Sequence, residues 1–164
     1  MVARLLRHVL VLPGSVRRAF PPDALHAIEA AIGESEKRHG GEIRFAVEAA
    51  LDVPALLQGQ TARDRALEVF SELRVWDTEA NNGVLIYLLL ADRDVEIVAD
   101  RGIDRRVGTQ AWEAICRGME SSLASGRHRE AVLAGIAGIE AHLARHFPPN
   151  ARDADELPNA PAAL

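Results

Sequence analysis

The chain has 164 residues, of which 48% are hydrophobic and 26% charged, and these values indicate one folded globular domain rather than a disordered or fibrous chain. Its formal net charge is −5, and the first 20 residues carry four arginines and no acid, so subtracting this +4 leaves −9 for residues 21–164. A body this acidic repels phosphate backbones, which excludes nucleic acid as an expected partner.

Residues 1–20 are predicted to form a basic N-terminal arm. Apolar side chains recur near helical spacing beside the arginines, namely Leu5, Leu6, Val9 and Leu10. This pattern predicts either packing on the domain or contact with an anionic membrane surface or a partner. No apolar stretch approaches the roughly 20 residues of a membrane-spanning helix, and no cleavable signal peptide is recognisable. We therefore expect no transmembrane segment and a cytoplasmic location.

The first half of the body predicts a helix, a strand and a second helix. Apolar residues at three- and four-residue steps predict a helix over residues 23–39, after two prolines and before two glycines. Residues 43–48 alternate in a way that is typical of a strand. Thr61 is the predicted N-cap of the second helix, which runs to about residue 74. The stretch between this strand and this helix is expected to be a loop.

The second half predicts a hairpin followed by two closing helices. Residues 84–90 are a continuous apolar run, which is typical of a strand buried on both faces. A short polar turn leads into residues 95–99, a third strand that pairs antiparallel with the second. Gly102 and Gly108 are expected to flank a loop, and Gly126 to separate the two closing helices.

This order of elements predicts the α/β class, as a three-layer α/β/α sandwich with a mixed central sheet. One right-handed βαβ unit is joined to an antiparallel hairpin, with helices on both faces. The side chains of the central strand must alternate between the two helical layers, with Leu85, Tyr87 and Leu89 on one side and Val84, Ile86 and Leu88 on the other. The domain is expected to span residues 21–149 and residues 150–164 to be a disordered tail, so that both the arm and the tail are dispensable for folding.

Several kinds of active site are not indicated by the sequence. It has no Gly-x-Ser-x-Gly turn, no Walker-type phosphate loop and no Gly-x-Gly-x-x-Gly motif after the first strand. Cys116 is the single cysteine and falls on the apolar side of a helix, which predicts a packed thiol. His142 and His146 have a spacing that can bind zinc, but they lie beside a buried stripe, and we expect a solvated pair.

Carboxylates gather at both edges of the predicted sheet. One edge collects Glu48, Asp52, Asp92 and Asp94, and the other collects Asp77, Glu79, Asn81, Asn82, Asp100 and Asp104. The second group comes together because the second strand starts near Asn82 and the antiparallel third strand ends near Asp100. Clusters of oxygen ligands suit calcium or magnesium, although acids at loop tips are usually only solvated.

The segment 81–90, with the Asp92-Arg93 turn and the Gly102-Ile103-Asp104 sequence that follows the third strand, resembles the TPM-domain family, and the likeness runs from about residue 41 to 147. The resemblance implies an α/β/α sandwich, a divalent cation at acidic loops in some members, weak acid phosphatase activity in others, and roles in membrane-protein assembly or repair. The chain departs from the family pattern in having Asp100-Arg101 before Gly102, an aspartate at position 104 in place of glutamate, and Thr109 where an acid is common.

The resemblance and the acidic edge together predict a divalent-cation site, with Ca²⁺ as the candidate ion. The predicted ligands are Asp77, Asn82, Asp100 and Asp104. The leading hypothesis is a cation-binding or partner-binding module without strong catalysis, whose protein partner is unknown and could be a membrane protein. One alternative is a weak metal-dependent acid phosphatase, in which Arg101 or Arg105 binds the phosphate. A second alternative is a membrane-surface adaptor that acts through the arginine arm.

Overall fold

A computed structural model describes residues 2–149 and 155–164 of the chain. Its four strands form one sheet in the order β3-β2-β1-β4. The strands are β1 (Glu42–Glu48), β2 (Gly83–Leu89), β3 (Asp94–Ala99) and β4 (Ala162–Ala163). β1 pairs in parallel with both β2 and β4, whereas β2 pairs antiparallel with β3. The predicted mixed sheet, with its βαβ unit and hairpin, is confirmed.

Helices cover both faces of this sheet. They are α1 (Val2–Val9), α2 (Ser15–Ala19), α3 (Pro22–Glu36), α4 (Val53–Leu57), α5 (Ala62–Glu72), α6 (Arg101–Val107), α7 (Thr109–Ala124) and α8 (His128–His146). α3, α7 and α8 pack on one face, and α4 and α5 pack on the other. The predicted three-layer arrangement therefore describes the body of the molecule. None of the described helices is long and apolar enough to cross a bilayer.

β2 is the most deeply buried strand, because all seven of its residues are buried. The side chains at its odd and even positions pack into two different hydrophobic cores. One core contains Val84, Ile86 and Leu88 together with α3, α7 and α8, and the other contains Leu85, Tyr87 and Leu89 together with α4 and α5. The predicted alternation is confirmed, and it follows from the two-residue period of a strand between two apolar layers.

Local signals in the sequence explain where several helices begin. The hydroxyl of Thr61 accepts a hydrogen bond from the Asp64 N–H, and the Asp64 side chain accepts from the Thr61 N–H, which completes the capping box of α5. α4 was not predicted; it begins after Asp52, whose carboxylate accepts from the Ala55 N–H at 2.8 Å. The expected loop between Gly102 and Gly108 is wrong, since α6 occupies it and Gly102 lies inside that helix.

The N-terminal arm is packed on the body. Phe20 is fully buried, and its ring centroid lies 5.4 Å from that of Phe45. His8 is 4% exposed, and its Nδ1 accepts a hydrogen bond from the Leu51 N–H at 3.0 Å. The arm therefore buries side chains in the domain, which contradicts the expectation that its removal would expose little surface.

The disordered tail predicted over residues 150–164 is wrong for residues 155–164; residues 150–154 lie outside the described part of the chain. Ala162 and Ala163 form β4 beside β1, and Leu157 is 8% exposed. The carboxylate of Glu42 accepts hydrogen bonds from the backbone of this segment. Its composition is typical of disorder, but a strand of two residues needs no sequence periodicity when a neighbouring edge supplies its hydrogen bonds.

Candidate functional site

The start of β2 and the end of β3 meet at one edge of the sheet. The Asp100 N–H donates to the carbonyl oxygen of Gly83 at 2.9 Å, which places Asp100 beside Asn82. Asn81 has a left-handed backbone (φ 53°), a conformation that asparagine tolerates better than most residues. A Cβ atom on Gly102 would overlap the carbonyl oxygens of Ala80, at 2.7 Å, and Asn81, so α6 begins in direct contact with this loop. We call Asn81, Asn82, Asp100 and Gly102 the loop site.

Two side-chain oxygens of the loop site are buried without a partner among the described residues. Asn82 is 1% exposed; its Nδ2 donates to the Gly40 carbonyl, but its Oδ1 accepts no hydrogen bond. Asp100 is 7% exposed; its Oδ1 accepts from the Arg101 N–H at 2.7 Å, and its Oδ2 accepts none. Leaving one buried acceptor unsatisfied costs about 1–3 kcal/mol. Each of these two oxygens therefore lacks a hydrogen-bond donor among the described residues, which an electropositive group could supply.

The other two predicted ligands have different surroundings. Asp77 is exposed and forms an ion pair with Arg74 at 2.7 Å. Asp104 is exposed on α6 and accepts a hydrogen bond from the indole N–H of Trp112 at 3.0 Å. The carboxylate oxygens of Asp77, Asp100 and Asp104 do not all lie within 4.8 Å of one another. The fold thus places Asn82 and Asp100 at the neighbouring ends of β2 and β3 and leaves Asp77 and Asp104 on other contacts.

Arginines surround a shallow pocket next to the loop site. The pocket measures about 420 Å³ and is lined by Asn81, Arg101, Gly102, Arg105 and Arg106. Arg106 is engaged elsewhere, because it donates to the His146 carbonyl at 2.8 Å and its guanidinium lies over the Phe147 ring. The side chains of Arg101 and Arg105 make no ion pair or hydrogen bond with any described residue. The pocket can therefore accept an anionic group.

The opposite edge of the sheet has acids with evident structural partners. Glu48 accepts hydrogen bonds from the Tyr87 hydroxyl at 2.7 Å and from Arg65 at 2.9 Å. Asp52 caps α4, and Asp92 is paired with two arginines of the arm. These three carboxylates hold the fold together through the contacts just described.

The cysteine and the paired histidines also have structural surroundings. Burial raises the pKa of the Cys116 thiol to about 12, which keeps it protonated and a poor nucleophile, as predicted. The His142 ring packs edge-on against Trp112 at 5.5 Å between centroids. Partial burial and the neighbouring His146 lower the pKa of His142.

Sequence reasoning missed a carboxylate cluster formed by Glu36, Glu42 and Asp155. These residues come from the end of α3, the start of β1 and the segment after residue 154, so no spacing in the sequence links them. Among the described residues they are the group of three whose oxygens all lie within 4.8 Å of one another. Burial raises the pKa of Glu36 to about 8 and that of Glu42 to about 7, and the nearby carboxylates add to both shifts.

This cluster predicts that the protein loses stability as the pH rises from about 5 to about 8. Both carboxyl groups hold their protons more tightly when folded than at the ordinary pKa of 4.5. Their stabilising effect is complete below that value and is lost as the pH rises through about 7 to 8. We expect the free energy of unfolding, measured by chemical denaturation, to decrease between about pH 5 and pH 8, and to decrease less in Glu36→Gln. A slope that is identical in the two proteins would contradict this assignment.

Comparison with known proteins identifies the family. The sequence matches the family described as the TPM domain over residues 17–142. The chain belongs to the TPM-domain family. The predicted resemblance is therefore confirmed, and the match begins in the N-terminal arm, before the predicted start of the domain.

Two solved structures are similar to this TPM domain. The BA42 protein of the psychrophilic bacterium Bizionia argentinensis is 31% identical; the alignment covers 87% of this chain and 93% of that one, with a TM-score of 0.76. The N-terminal domain of a protein from P. gingivalis is 16% identical over 79% of this chain and 81% of that one, with a TM-score of 0.62, and shows the shared fold alone. No curated protein gives a significant sequence match.

Proposed function

We propose that this TPM domain is a divalent-cation-binding module that takes Ca²⁺ at the loop site, where Asn82 and Asp100 supply the side-chain ligands. The observation that supports the proposal is the pair of buried oxygens, Asn82 Oδ1 and Asp100 Oδ2, that have no partner among the described residues. A cation that contacts both oxygens would satisfy them together, whereas a neutral donor would leave the Asp100 charge buried and uncompensated.

The chemistry of the loop site favours calcium over magnesium. Calcium accepts six to eight oxygen ligands from carboxylates, amide and backbone carbonyls and water, in flexible geometry. The loop offers a carboxylate, an amide and the carbonyls of Ala80 and Asn81, against which Gly102 packs. Magnesium requires a tighter octahedron and retains its water, so we expect it to bind more weakly. The bound ion would order this surface for recognition of a protein partner.

Thermal unfolding with calcium tests the proposal. An ion that binds only the folded state stabilises it by about 2.7 kcal/mol at a hundredfold excess over its Kd. We expect millimolar calcium to raise the Tm of the native chain by several degrees, and to leave the Tm of Asp100→Asn unchanged. Asparagine still caps α6 at position 100, so this variant should fold. Asp77→Asn, which removes an exposed carboxylate that is paired with Arg74, is the matched control and should keep the response.

A second variant separates the loop site from the carboxylate cluster of Glu36, Glu42 and Asp155. Glu36→Gln should retain the calcium response if the ion binds at the loop site. A calcium response that survives in Asp100→Asn and disappears in Glu36→Gln would show that the ion binds at the carboxylate cluster and not at the loop site. If calcium leaves the Tm of the native chain unchanged, the proposal of a calcium site is wrong.

Weak metal-dependent phosphatase activity is the second candidate function, and the pocket with Arg101 and Arg105 favours it. Both guanidinium groups are without ion pairs among the described residues and lie beside the loop site, where they would bind the oxygens of a phosphate group. A bound cation would supply Lewis-acid polarisation of a phosphoryl oxygen. Hydrolysis of p-nitrophenyl phosphate that requires calcium or magnesium, and that is lost in Arg101→Gln/Arg105→Gln, would support it; no turnover above background would exclude it for this substrate.

A further inference from the structure

The N-terminal helix α1 is attached to the domain through Leu5, which packs against the core beside α4 and α5, and through its polar face. Arg4 Nε donates to Asp92 Oδ2 at 2.8 Å, and the buried His8 places its Nε2 3.1 Å from the same carboxylate. Arg7 pairs with the other oxygen of Asp92 at 3.0 Å. An ordinary surface helix buries most of its apolar side chains and exposes its charges, whereas α1 partly buries Leu5 alone among its large apolar residues.

The opposite face of α1 is apolar and exposed. The exposed fractions are 71% for Val2, 53% for Leu6, 58% for Val9 and 70% for Leu10. At 100° per residue these four positions share one side of the helix, away from Arg4 and His8. The apolar surface continues onto the residues that follow α1 and onto α4, which packs beside it; there Leu12 is 65% exposed, Leu57 63% and Val53 43%. We call these seven residues the apolar face.

The N-terminal arm, which carries five of the seven residues of the apolar face, is positively charged, whereas Asp52, which precedes Val53, is an exposed acid. Arg7, Arg17 and Arg18 are exposed, and the arm has no acidic residue. Asp92, the acid that contacts the arm, is neutralised by its arginine partners, and its side chain is 9% exposed. At physiological ionic strength the interaction between exposed charges is screened beyond about 8 Å. The electrostatic attraction of a surface to the arm therefore depends more on these arginines than on the distant acids of the body.

We propose that the apolar face docks the domain on an anionic lipid surface, with its leucines and valines in the boundary between headgroups and acyl chains and the arginines on the lipid phosphates. Charge complementarity favours lipid, because an anionic bilayer offers apolar depth and negative charge together. The interaction needs no spanning helix; the short α1 lies in the plane of the interface and binds reversibly. It is independent of the proposed cation site, which lies at the β2–β3 edge.

Vesicle co-sedimentation of the full chain tests this proposal. We expect binding to vesicles of phosphatidylglycerol and phosphatidylcholine in equal parts, weaker binding to phosphatidylcholine alone, and release as salt is raised. Leu6→Ser/Leu10→Ser should weaken binding about tenfold or more, because the apolar area that enters the interface is lost. Arg17→Gln/Arg18→Gln should weaken it about fivefold for each arginine that contacts the lipid.

Leu67→Ser is the matched control, since Leu67 is an exposed leucine (46%) on α5 and lies outside the apolar face. It should bind like the native chain. Circular dichroism of each variant confirms that it is folded. Failure of the native chain to bind anionic vesicles, or equal binding by the Leu6→Ser/Leu10→Ser variant, would overturn the proposal. Self-association in solution that this double variant abolishes, without vesicle binding, would show instead that the apolar face joins two copies of the chain.

Discussion

Replacement of Leu88 by alanine is expected to lower the free energy of unfolding by about 2–5 kcal/mol. Leu88 is fully buried in β2, within the core that α3, α7 and α8 share. The shortened side chain leaves a cavity, and the strand is fixed by β1 on one side and β3 on the other, so the backbone has little freedom to fill it. Chemical denaturation at constant pH measures the change.

Leu67→Ala is the matched control for this substitution. It removes the same atoms from a leucine that is 46% exposed, and substitutions at such positions usually stay within about 0.5 kcal/mol. A loss at Leu88 no larger than the loss at Leu67 would contradict the position of β2 between two helical layers.

Replacement of Gly102 by alanine is expected to destabilise the protein by about 1–3 kcal/mol and to remove the calcium response. The new Cβ would overlap the carbonyl oxygens of Ala80 and Asn81, so either α6 or the loop has to move. Backbone cannot rotate away as a flexible side chain does. Because Asp100 precedes α6 directly, this displacement also separates it from Asn82. Thermal unfolding with and without calcium measures both effects.

Gly118→Ala is the control for this substitution, and we expect it to change the stability in the opposite direction. Gly118 lies in α7, and a Cβ there would meet no atom within 4 Å. Alanine in an exposed helical position should stabilise the protein by up to about 1 kcal/mol and leave the calcium response intact. If Gly102→Ala behaves like Gly118→Ala, the contact between α6 and the loop does not shape the site.

The central part of the fold was predictable because each signal there has one physical meaning. An apolar run of strand length beside helices can only be buried on both faces, and the hydroxyl of Thr61 followed by Asp64 specifies the start of a helix. α6 was missed for the opposite reason. Gly102 and Gly108 indicate a loop between them, whereas the missing side chain of Gly102 serves close packing against Asn81 at the start of a helix.

Only the part of the candidate site that strand pairing determines could be predicted from the sequence. Asn82 and Asp100 flank paired strands, and the antiparallel register brings them together. Asp77 and Asp104 lie in a loop and a helix, where local partners, Arg74 and Trp112, determine what each carboxylate contacts. The cluster around Glu36 joins three distant segments and leaves no pattern along the chain.

The segment 155–164 has a consequence for the outer edge of the sheet. β1 has six buried residues, and without β4 its unpaired N–H and C=O groups would be a template on which a strand from another molecule could assemble. β4 pairs with β1 only at Ala46 and Val47, but Arg44 extends the cover by donating to the backbone carbonyls of Pro158 and Ala160. The segment thus covers an edge that could otherwise pair with a strand of another molecule, and Glu42, which accepts from the Glu156 and Leu157 N–H groups, holds its start in place.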